Sequence, residues 1–362
     1  MKLGIVGLPN VGKTTLFNAL TGEKAATSAY AFTSVTPNVG TVKVPDTRLD
    51  YLAEMYEPKK YTPATIEFVD IAGLAKGASR GEGLGNGFLA AIRQTDALLE
   101  VVRCFNNDEL FTEPADAVRD AEALELELIL ADIDLMQRRH EKAQKAAKSG
   151  DKKIKQEAEF LERFLAHLSD GKPARTFDFT EDESALLADG GLLSIKPVIY
   201  AANLDEDGYA KKDDDPGYKA LCALAEADGS KVLPVCARLE EDINDLPEDE
   251  QREFLEDLGI SERGVARLVQ CSYELLGYIS FLTAGKDEVR AWTITKGTKA
   301  PKAAGKIHSD LERGFIRAEI VAFDDLVACG SIAAAKDKGL FHSEGKEYIM
   351  KDGDVTNIRF NV

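Results

Sequence analysis

The feature that most restricts the fold of this chain is GLPNVGKT at residues 7–14, directly after the apolar run KLGIV. It matches G-x-x-x-x-G-K-[ST], a glycine-rich loop between a strand and a helix whose backbone N–H groups hold phosphate oxygens. We therefore predict a buried strand over residues 2–7 and a helix over residues 13–21. The positive potential of the helix N-terminus would face the phosphates of a bound nucleotide.

Two polar motifs have the chemistry of a phosphate and metal site. Lys13 would reach the β- and γ-phosphates, which makes it the candidate catalytic residue, and the Thr14 hydroxyl would bind Mg²⁺. Asp70 ends the run TIEFVD and opens the motif D-x-x-G. Its carboxylate can hold Mg²⁺ through a water, while the N–H of Gly73 can meet a γ-phosphate.

Two loops have the composition of nucleotide-dependent switches. The first, YAFTSVTPNVG, offers three hydroxyls that are either Mg²⁺ ligands or ordinary solvated groups: Thr33, Ser34 and Thr36. The second, LAKGASRGEGLGNGF, holds five glycines, which permit a rearrangement or belong to a loop without a switching role. Its first residue, Leu74, stands where Ras-type hydrolases carry a Gln that orients the attacking water. Leucine cannot bind water, so we expect slow or assisted hydrolysis.

The order of apolar runs predicts an α/β domain. Further strands are expected at residues 65–70, 97–103, 197–202 and 232–236. Helical stretches separate most of them, which is typical of a mostly parallel, doubly wound sheet. The charged interval of about residues 115–170 places Ala121, Leu124 and Leu128 on one helix face, with a break at Ser149-Gly150. We interpret it as an inserted antiparallel helical hairpin, and two ordinary crossover helices are the alternative.

The C-terminal part of the chain has a different sequence pattern. From residue 278 onward come the short β-type runs YISFLT, VRAWTIT, FIRAEIVAF, EYIMKDG and VTNIRFNV, with one brief helix candidate, KIHSDLERG. This pattern predicts a small, separate α+β domain. We therefore expect two domains, residues 1–277 and residues 278–362.

Composition limits the class of protein and its partners. The chain has 362 residues, 44% of them hydrophobic, and a net charge of −18. That charge opposes bulk electrostatic binding of nucleic acid. The five cysteines show no C-x-x-C pair, there is no signal-peptide pattern, and no apolar run approaches the roughly 20 residues of a membrane span. We expect a cytoplasmic, monomeric protein with reduced thiols and no membrane partner.

The acidic stretch AANLDEDG, residues 201–208, follows the apolar run KPVIY. A Ras-type GTPase carries N-K-x-D at this place, and the Asp of that motif accepts two hydrogen bonds from guanine. Here the fourth residue is Glu206, one methylene longer, and Leu204 replaces the Lys. Guanine preference should be lost, and adenine could pair with backbone groups of Leu204. A register that uses Asp205 and an acidic surface turn without a base contact both stay open.

These motifs together resemble one family, the Obg-like ATPases of the YchF type. The stretches that carry the resemblance are GLPNVGKTTLFNAL, TPNVG, DIAGLAKGASRGEGLGNGFL, VVRCF, the N-x-x-E at residues 203–206 and HSDLERGFIRAEIV. The resemblance covers essentially the whole chain. It implies a P-loop NTPase fold with a coiled-coil-like insertion, a C-terminal TGS domain of ubiquitin-like shape, Mg²⁺-dependent hydrolysis of ATP in preference to GTP, and binding to the ribosome or its large subunit.

The resemblance also implies roles for particular residues. The nucleotide-binding positions that it implies are Asn10, Val11, Gly12, Lys13, Thr14, Thr15, Gly73, Asn203, Leu204, Glu206, Cys236 and Ala237. The metal ligands that it implies are Thr14 and Ser34, where relatives usually have Thr, and the D-x-x-G motif adds Asp70 through water. The chain departs from the family at NNDELFTEPAD, because bacterial members commonly have a His in this loop that is proposed to assist hydrolysis. We therefore assign no catalytic His.

A local basic segment offers a surface for the implied ribosomal partner. Residues 137–156 hold eight Lys or Arg residues against two acidic residues, at the expected tip of the hairpin. This tip, and the TGS domain, could contact ribosomal RNA phosphates, or the lysines could only solvate a helix end. Three other functions stay open: a GTPase-like switch with relaxed base specificity, a module that senses ATP without hydrolysing it, and a metabolic kinase.

Overall fold

The computed structural model describes residues 2–22, 37–73, 85–107, 109–148, 150–187, 191–258, 260 and 262–361. The predicted first-switch residues Thr33, Ser34 and Thr36, the position of Leu74, and most of the second glycine-rich loop lie outside these residues. Among the described helices, none is both long enough and apolar enough to cross a bilayer.

The described strands and helices alternate along most of the chain. The strands are β1 (Lys2–Val6), β2 (Asn38–Lys43), β3 (Lys60–Thr62), β4 (Thr65–Asp70), β5 (Ala97–Arg103), β6 (Val198–Asn203), β7 (Lys231–Val235), β8 (Tyr278–Ala284), β9 (Glu288–Thr295), β10 (Phe315–Ala322), β11 (His342–Glu344) and β12 (Asp354–Phe360). The helices are α1 (Lys13–Thr21), α2 (Thr47–Tyr56), α3 (Gly85–Arg93), α4 (Ala117–Ala147), α5 (Lys152–Ser169), α6 (Glu181–Leu187), α7 (Glu206–Ala210), α8 (Pro216–Asp228), α9 (Ala237–Asn244), α10 (Glu248–Asp257), α11 (Gly264–Leu275), α12 (Ala300–Ile307), α13 (Ser309–Arg313), α14 (Phe323–Cys329) and α15 (Ile332–Asp337).

The first sheet has the strand order β2-β4-β1-β5-β6-β7. The pairs β1–β4, β1–β5, β5–β6 and β6–β7 are parallel, and every residue of β5 and β6 is buried. Continuously buried strands are typical of a parallel sheet that is covered on both faces. The predicted doubly wound α/β fold is therefore confirmed. The strand order reverses beside β1, and ligands bind at such a point, outside the carboxyl ends of the strands.

The inserted hairpin is also confirmed. Helices α4 and α5 pack against each other, and the four residues between them enclose the predicted break at residues 149–150. The face of α4 that appeared uniform in the sequence serves two cores. Ala121, Leu124 and Leu128 pack in the core beside the first sheet, whereas Met136 packs farther along the helix with Phe160 of α5.

The second sheet has the order β11-β10-β12-β8-β9-β3. Strands β10 and β12, β10 and β11, and β8 and β9 are antiparallel, whereas β12–β8 and β3–β9 are parallel. Helix α12 contributes Ala300, Ala303 and Ala304 to a core with Phe281 and Phe315. Two sequence expectations fail here. The stretch KIHSDLERG, expected as one helix, covers the end of α12 and all of α13, because the extended backbone at His308 separates them. The stretch EYIMKDG, expected as a strand, forms only an isolated bridge at Ile349.

The chain divides into two compact units whose limits differ from the expected boundary at residues 277 and 278. One unit takes the described residues of 1–40 and 67–268, and the other takes 41–66 and the described residues of 269–362. The second unit gains its early segment because β3 pairs with β9, with Lys60 opposite Glu288 and Thr62 opposite Arg290. Pairing between strands so far apart in the sequence leaves no local signal in the composition of either.

Candidate functional site

The phosphate loop between β1 and α1 has a backbone that side chains would obstruct. Gly7 and Gly12 have φ values of 149° and 99°. A Cβ atom on Gly7 would lie 2.5 Å from the carbonyl oxygen of Val101, and one on Gly12 would lie 2.5 Å from Nδ2 of Asn203. Asn10 adopts a positive φ of 63°, which asparagine tolerates better than most residues. Glycine is therefore required at both positions for the loop to turn into α1 with its N–H groups on the inner side.

The side chain of Lys13 lies inside this loop. It is 7% exposed, and its Nζ donates to the carbonyl oxygen of Leu8 at 2.7 Å. Burial lowers the pKa of Lys13 to about 8, although the charge of Asp70 opposes this shift. A Cβ atom on Gly73 would lie 3.0 Å from this Nζ, so the D-x-x-G motif meets the phosphate loop at the lysine.

Thr14 and Asp70 form a direct contact between the two motifs. The Thr14 hydroxyl donates to Oδ2 of Asp70 at 2.9 Å. Burial raises the pKa of the Asp70 carboxyl, and the hydrogen bond from Thr14 and the charge of Lys13 act in the opposite direction. A hydroxyl and a carboxylate side by side are the hard oxygen ligands that Mg²⁺ prefers. The described residues therefore fit this ion, and the third predicted ligand, Ser34, lies outside them.

Asn203 connects the base end of the site to the phosphate loop. Its side chain is buried, its Nδ2 donates to the carbonyl oxygen of Val11 at 2.9 Å, and its Oδ1 accepts from the N–H of Ala237 at 3.0 Å. This single side chain links the ends of β6 and β7 to the loop that precedes α1. The loop at Cys236 and Ala237 thus lies beside the other predicted nucleotide-binding residues.

The N-x-x-E stretch is arranged differently from the sequence interpretation in one respect. The N–H of Leu204 donates to the carbonyl oxygen of Val235 at 2.8 Å, and the Leu204 side chain is 2% exposed in the core. Only the carbonyl of Leu204 is therefore available to a base, since none of the described N–H groups donates to it. Asp205 caps α7, since its Oδ1 accepts from the N–H of Gly208 at 2.7 Å. One oxygen of the carboxylate that would contact the base in the alternative register is therefore already engaged. Glu206 opens α7 and is exposed.

A cavity of about 510 Å³ is lined by residues of the base end and of the phosphate loop, but not by Lys13, Thr14, Asp70 or Gly73. Of the predicted residues, it is lined by Asn10, Gly12, Thr15, Asn203, Leu204, Glu206, Cys236 and Ala237. Sequence reasoning missed its opposite wall, which comes from the loop after β5 and consists of Phe105, Asn106, Asn107 and Leu110. Arg103 pairs with Asn203 in the sheet, so both loops leave the same edge. The predicted strands at residues 97–103 and 197–202 carried that signal, because the carboxyl ends of parallel strands meet at one edge.

Arg103 holds this wall in place. Its side chain is 3% exposed and donates to the carbonyl oxygens of Glu113 and Pro114, each at 3.2 Å. Its guanidinium also lies 3.8 Å from the centre of the Phe111 ring. A buried cation with these partners fixes the path of the loop, and so fixes where Phe105 lies against the cavity.

A glycine loop that leads from a buried parallel strand into a helix, with a lysine inside it and a Thr–Asp pair beside it, defines a P-loop nucleoside triphosphatase. Residues 2–159 match the MMR_HSR1 family, described as 50S ribosome-binding GTPase, and residues 278–361 match YchF-GTPase_C, described as Protein of unknown function (DUF933). The chain belongs to the YchF family.

Relatives of similar length support this assignment. The chain is 48% identical over 361 residues to Ribosome-binding ATPase YchF of Bacillus subtilis, covering 99% of both chains. It is 47% identical over 366 residues to the protein of the same name in Escherichia coli O157:H7, covering 100% of this chain and 99% of the relative. The solved structure of the Schizosaccharomyces pombe YchF GTPase superposes with a TM-score of 0.87 at 34% identity, covering 99% of this chain and 97% of that one.

Proposed function

We propose that this chain is a Mg²⁺-dependent ATPase with slow intrinsic turnover, that it prefers ATP to GTP, and that it acts as a monomeric, cytoplasmic, nucleotide-dependent switch on the ribosome. The names of its relatives, Ribosome-binding ATPase YchF, support the activity and the partner. The observation that carries the base preference is the engagement of two backbone N–H groups at the base end, those of Leu204 and Ala237.

Because these N–H groups already donate within the protein, they cannot donate to a base, and the site favours a base that donates a hydrogen bond to it. Guanine presents a carbonyl oxygen at its six position and needs an N–H there, whereas adenine presents an amino group and needs an acceptor. The Leu204 carbonyl is such an acceptor, and the exposed Glu206 carboxylate lines the same cavity. Guanine would place its six-position oxygen against the Leu204 carbonyl, and a site that leaves a polar group unpaired discriminates strongly against that ligand.

The phosphate end supplies the hydrolytic chemistry. The backbone of residues 10–15 and the Lys13 ammonium would hold the phosphate oxygens and stabilise negative charge in the transition state. Thr14 and Asp70, with Ser34, would hold Mg²⁺, which when bound neutralises charge on the β- and γ-phosphates. Neither a Gln at position 74 nor a His in the loop at residues 105–115 is present to orient water, and turnover should fall below the range of about 1–10³ s⁻¹ typical of enzymes.

The hairpin tip, residues 137–156, supports contact with ribosomal RNA. Arg138 and Arg139 pair with Asp134 and Glu157, respectively. Six lysines of the tip are exposed and form no ion pair with a described residue: Lys142, Lys145, Lys148, Lys152, Lys153 and Lys155. Free ammonium groups on an otherwise acidic protein would confine phosphate contacts to this tip and to the C-terminal TGS-like unit.

Titration of the pure protein with fluorescent ATP and GTP analogues tests the base preference. We expect tighter binding of ATP. Glu206→Asp should narrow the difference between the affinities for ATP and GTP, because it restores the shorter carboxylate. Asp213→Asn, which changes an exposed acid outside the cavity, should leave this difference unchanged. Replacing Leu204 by Lys is not a suitable test, because it would bury an ammonium group in the core. Equal or tighter binding of GTP by the wild type would contradict the proposal.

A further inference from the structure

Helix α10 of the first unit buries only one of its faces. Its Leu255, together with Ile260 beyond the helix, packs against the core cluster of Cys236, Leu239 and Ile243. Phe254 and Leu258 lie on another face and are 38% and 49% exposed. The N–H of Leu258 donates to the carbonyl oxygen of Phe254 at 3.2 Å, so the last turn stays helical and the two side chains are neighbours. They form an apolar stripe in contact with water.

A row of carboxylates runs beside this apolar stripe. Successive residues of a helix are about 100° apart, so residues four apart lie within about 40° of each other. Glu253 and Asp257 stand one position before Phe254 and Leu258, and they therefore form a second row parallel to the first. Glu250 lies one turn before Phe254. All three carboxylates are exposed, and none forms an ion pair with a described residue.

A similar apolar pair on α4 has a weaker acidic border. Leu126 and Leu130 are also four residues apart and are 50% and 37% exposed. Two carboxylates beside them are engaged, since Glu125 pairs with Arg175 and Asp134 pairs with an arginine four residues later. A carboxylate that is already paired attracts a further cation only weakly. The α4 pair therefore serves as a control for the α10 face.

The charges select the kind of partner that can cover the α10 face. Nucleic acids and anionic lipid surfaces carry phosphates, which the three carboxylates would repel. Arg252, the cation of α10, lies about 160° around the helix axis from Phe254 and does not offset this repulsion. A small cation would leave the apolar stripe in water. The basic hairpin tip of a second copy has lysines, but its described residues include no exposed large apolar side chain.

We propose that the α10 face docks a basic amphipathic helix of another protein. Apolar side chains of that helix would cover Phe254 and Leu258, and its lysines or arginines would face Glu250, Glu253 and Asp257. This is the mode in which a helix uses apolar residues at i, i+3, i+4 and i+7 as anchors. One face of a short helix buries less area than a stable complex needs, so we expect a transient complex with a Kd of about 10–100 µM. The proposal is independent of the nucleotide site and of the ribosome.

Fluorescence anisotropy with a labelled peptide tests the proposal on the full chain. The probe is a blocked peptide of about 14 residues, built from leucine and lysine, with leucines at i, i+3, i+4 and i+7. A second peptide has the same composition but alternates leucine and lysine, so that it forms no apolar helix face. At an ionic strength of about 0.15 M, the first peptide should bind at least about tenfold more tightly than the second.

Two double variants separate the apolar and the electrostatic parts of the contact. Phe254→Ala with Leu258→Ala should weaken binding of the first peptide at least about tenfold, because a buried aromatic anchor is lost. Glu253→Gln with Asp257→Asn should weaken it about threefold or more and flatten its dependence on salt. All four residues are exposed, so both variants should keep the circular dichroism spectrum and the Tm of the wild type.

Each double variant has a matched control elsewhere on the first unit. Leu126→Ala with Leu130→Ala removes the exposed apolar pair of α4. Glu159→Gln with Glu162→Gln removes two exposed acids of α5. Both controls should bind the first peptide as the wild type does.

Four outcomes would overturn the proposal. Equal binding by the wild type and both α10 variants would mean that the peptide is only a counterion of an acidic protein. Loss of binding in the α4 control, with the α10 variants unaffected, would move the site to α4. Binding of a labelled single-stranded RNA that depends on Phe254 and Leu258 would make the partner a nucleic acid. Self-association of the wild type in sedimentation velocity, absent from Phe254→Ala with Leu258→Ala, would make it a second copy of this chain.

Discussion

The buried Lys13 should make the affinity for ATP depend on pH around pH 8. Its pKa in the free protein is about 8, because burial disfavours the charged form. A bound triphosphate would favour the ammonium and restore a pKa at or above the usual value of about 10.4. The affinity for ATP is therefore fully developed only well below pH 8, and it declines as the pH rises through 8.

The size of the effect follows from the protonated fraction of Lys13. If only the ammonium form holds the triphosphate, that fraction decreases from about 0.76 at pH 7.5 to about 0.09 at pH 9.0. The dissociation constant of the Mg²⁺-saturated nucleotide should then increase about eightfold, or about 1.3 kcal/mol. The lower limit of pH 7.5 avoids titration of the nucleotide itself, since phosphate groups lose their second proton near pH 6.

Lys13→Arg is the matched control for this titration. A guanidinium stays charged throughout the range, so the variant should lose the pH dependence even if its affinity is lower. The assay is a fluorescence titration with an ATP analogue at four pH values, with thermal denaturation at each to show that the fold persists. An equal slope for wild type and Lys13→Arg would refute the assignment, because the titrating group would then be another one.

Three further outcomes are expected. Gly12→Ala should destabilise the fold by about 1–3 kcal/mol in urea denaturation and abolish nucleotide binding, because its Cβ would lie 2.5 Å from Nδ2 of Asn203 at a φ of 99°. Asn203→Ala should lower the free energy of unfolding by about 2 kcal/mol, since it leaves the buried N–H of Ala237 unpaired, and Asn203→Asp should recover part of this loss in the same assay. The double variant Lys152→Glu with Lys153→Glu should reduce co-sedimentation with ribosomes and flatten its salt dependence, while ATP hydrolysis by the free protein stays unchanged. The charge-matched double variant Lys211→Glu with Lys212→Glu should sediment with ribosomes as the wild type does. Equal sedimentation of the two double variants would move the docking site to the C-terminal unit.

The phosphate end of the site was predictable because its geometry is local. A glycine loop after a strand, with the N–H groups of the following helix, places Lys13 and Thr14 without any knowledge of the rest of the fold. Asp70 could be added because the end of a predicted parallel strand lies at the same edge as that loop. The contact of Gly73 with Lys13 follows from the same two facts.

The base end was predictable only in outline. Asn203 and Glu206 were found by their place after an apolar run, but the engagement of the Leu204 N–H by Val235 depends on the register of β7 against β6, which places Val235 opposite Asn203. Residues 105–110 were missed because they line the cavity only through the path of their loop. Arg103 fixes that path through contacts with residues 111–114. Burial of Glu100 is likewise invisible in the sequence, where one acid within ALLEVVR resembles the solvent-facing position of a half-buried strand.

The pairing of β3 with β9 affects how the C-terminal sheet is made during synthesis. Thr62 donates to the carboxylate of Glu288, 226 residues farther along the chain. At a synthesis rate of about 5–20 residues per second, the short segment at residues 60–62 emerges at least about ten seconds before the strand that it must join. Residues 278–362 made alone would lack this edge strand and leave the N–H and C=O groups of β9 open to other chains. The sheet is thus a product of both ends of the polypeptide, and its last strand in space is among the first to be translated.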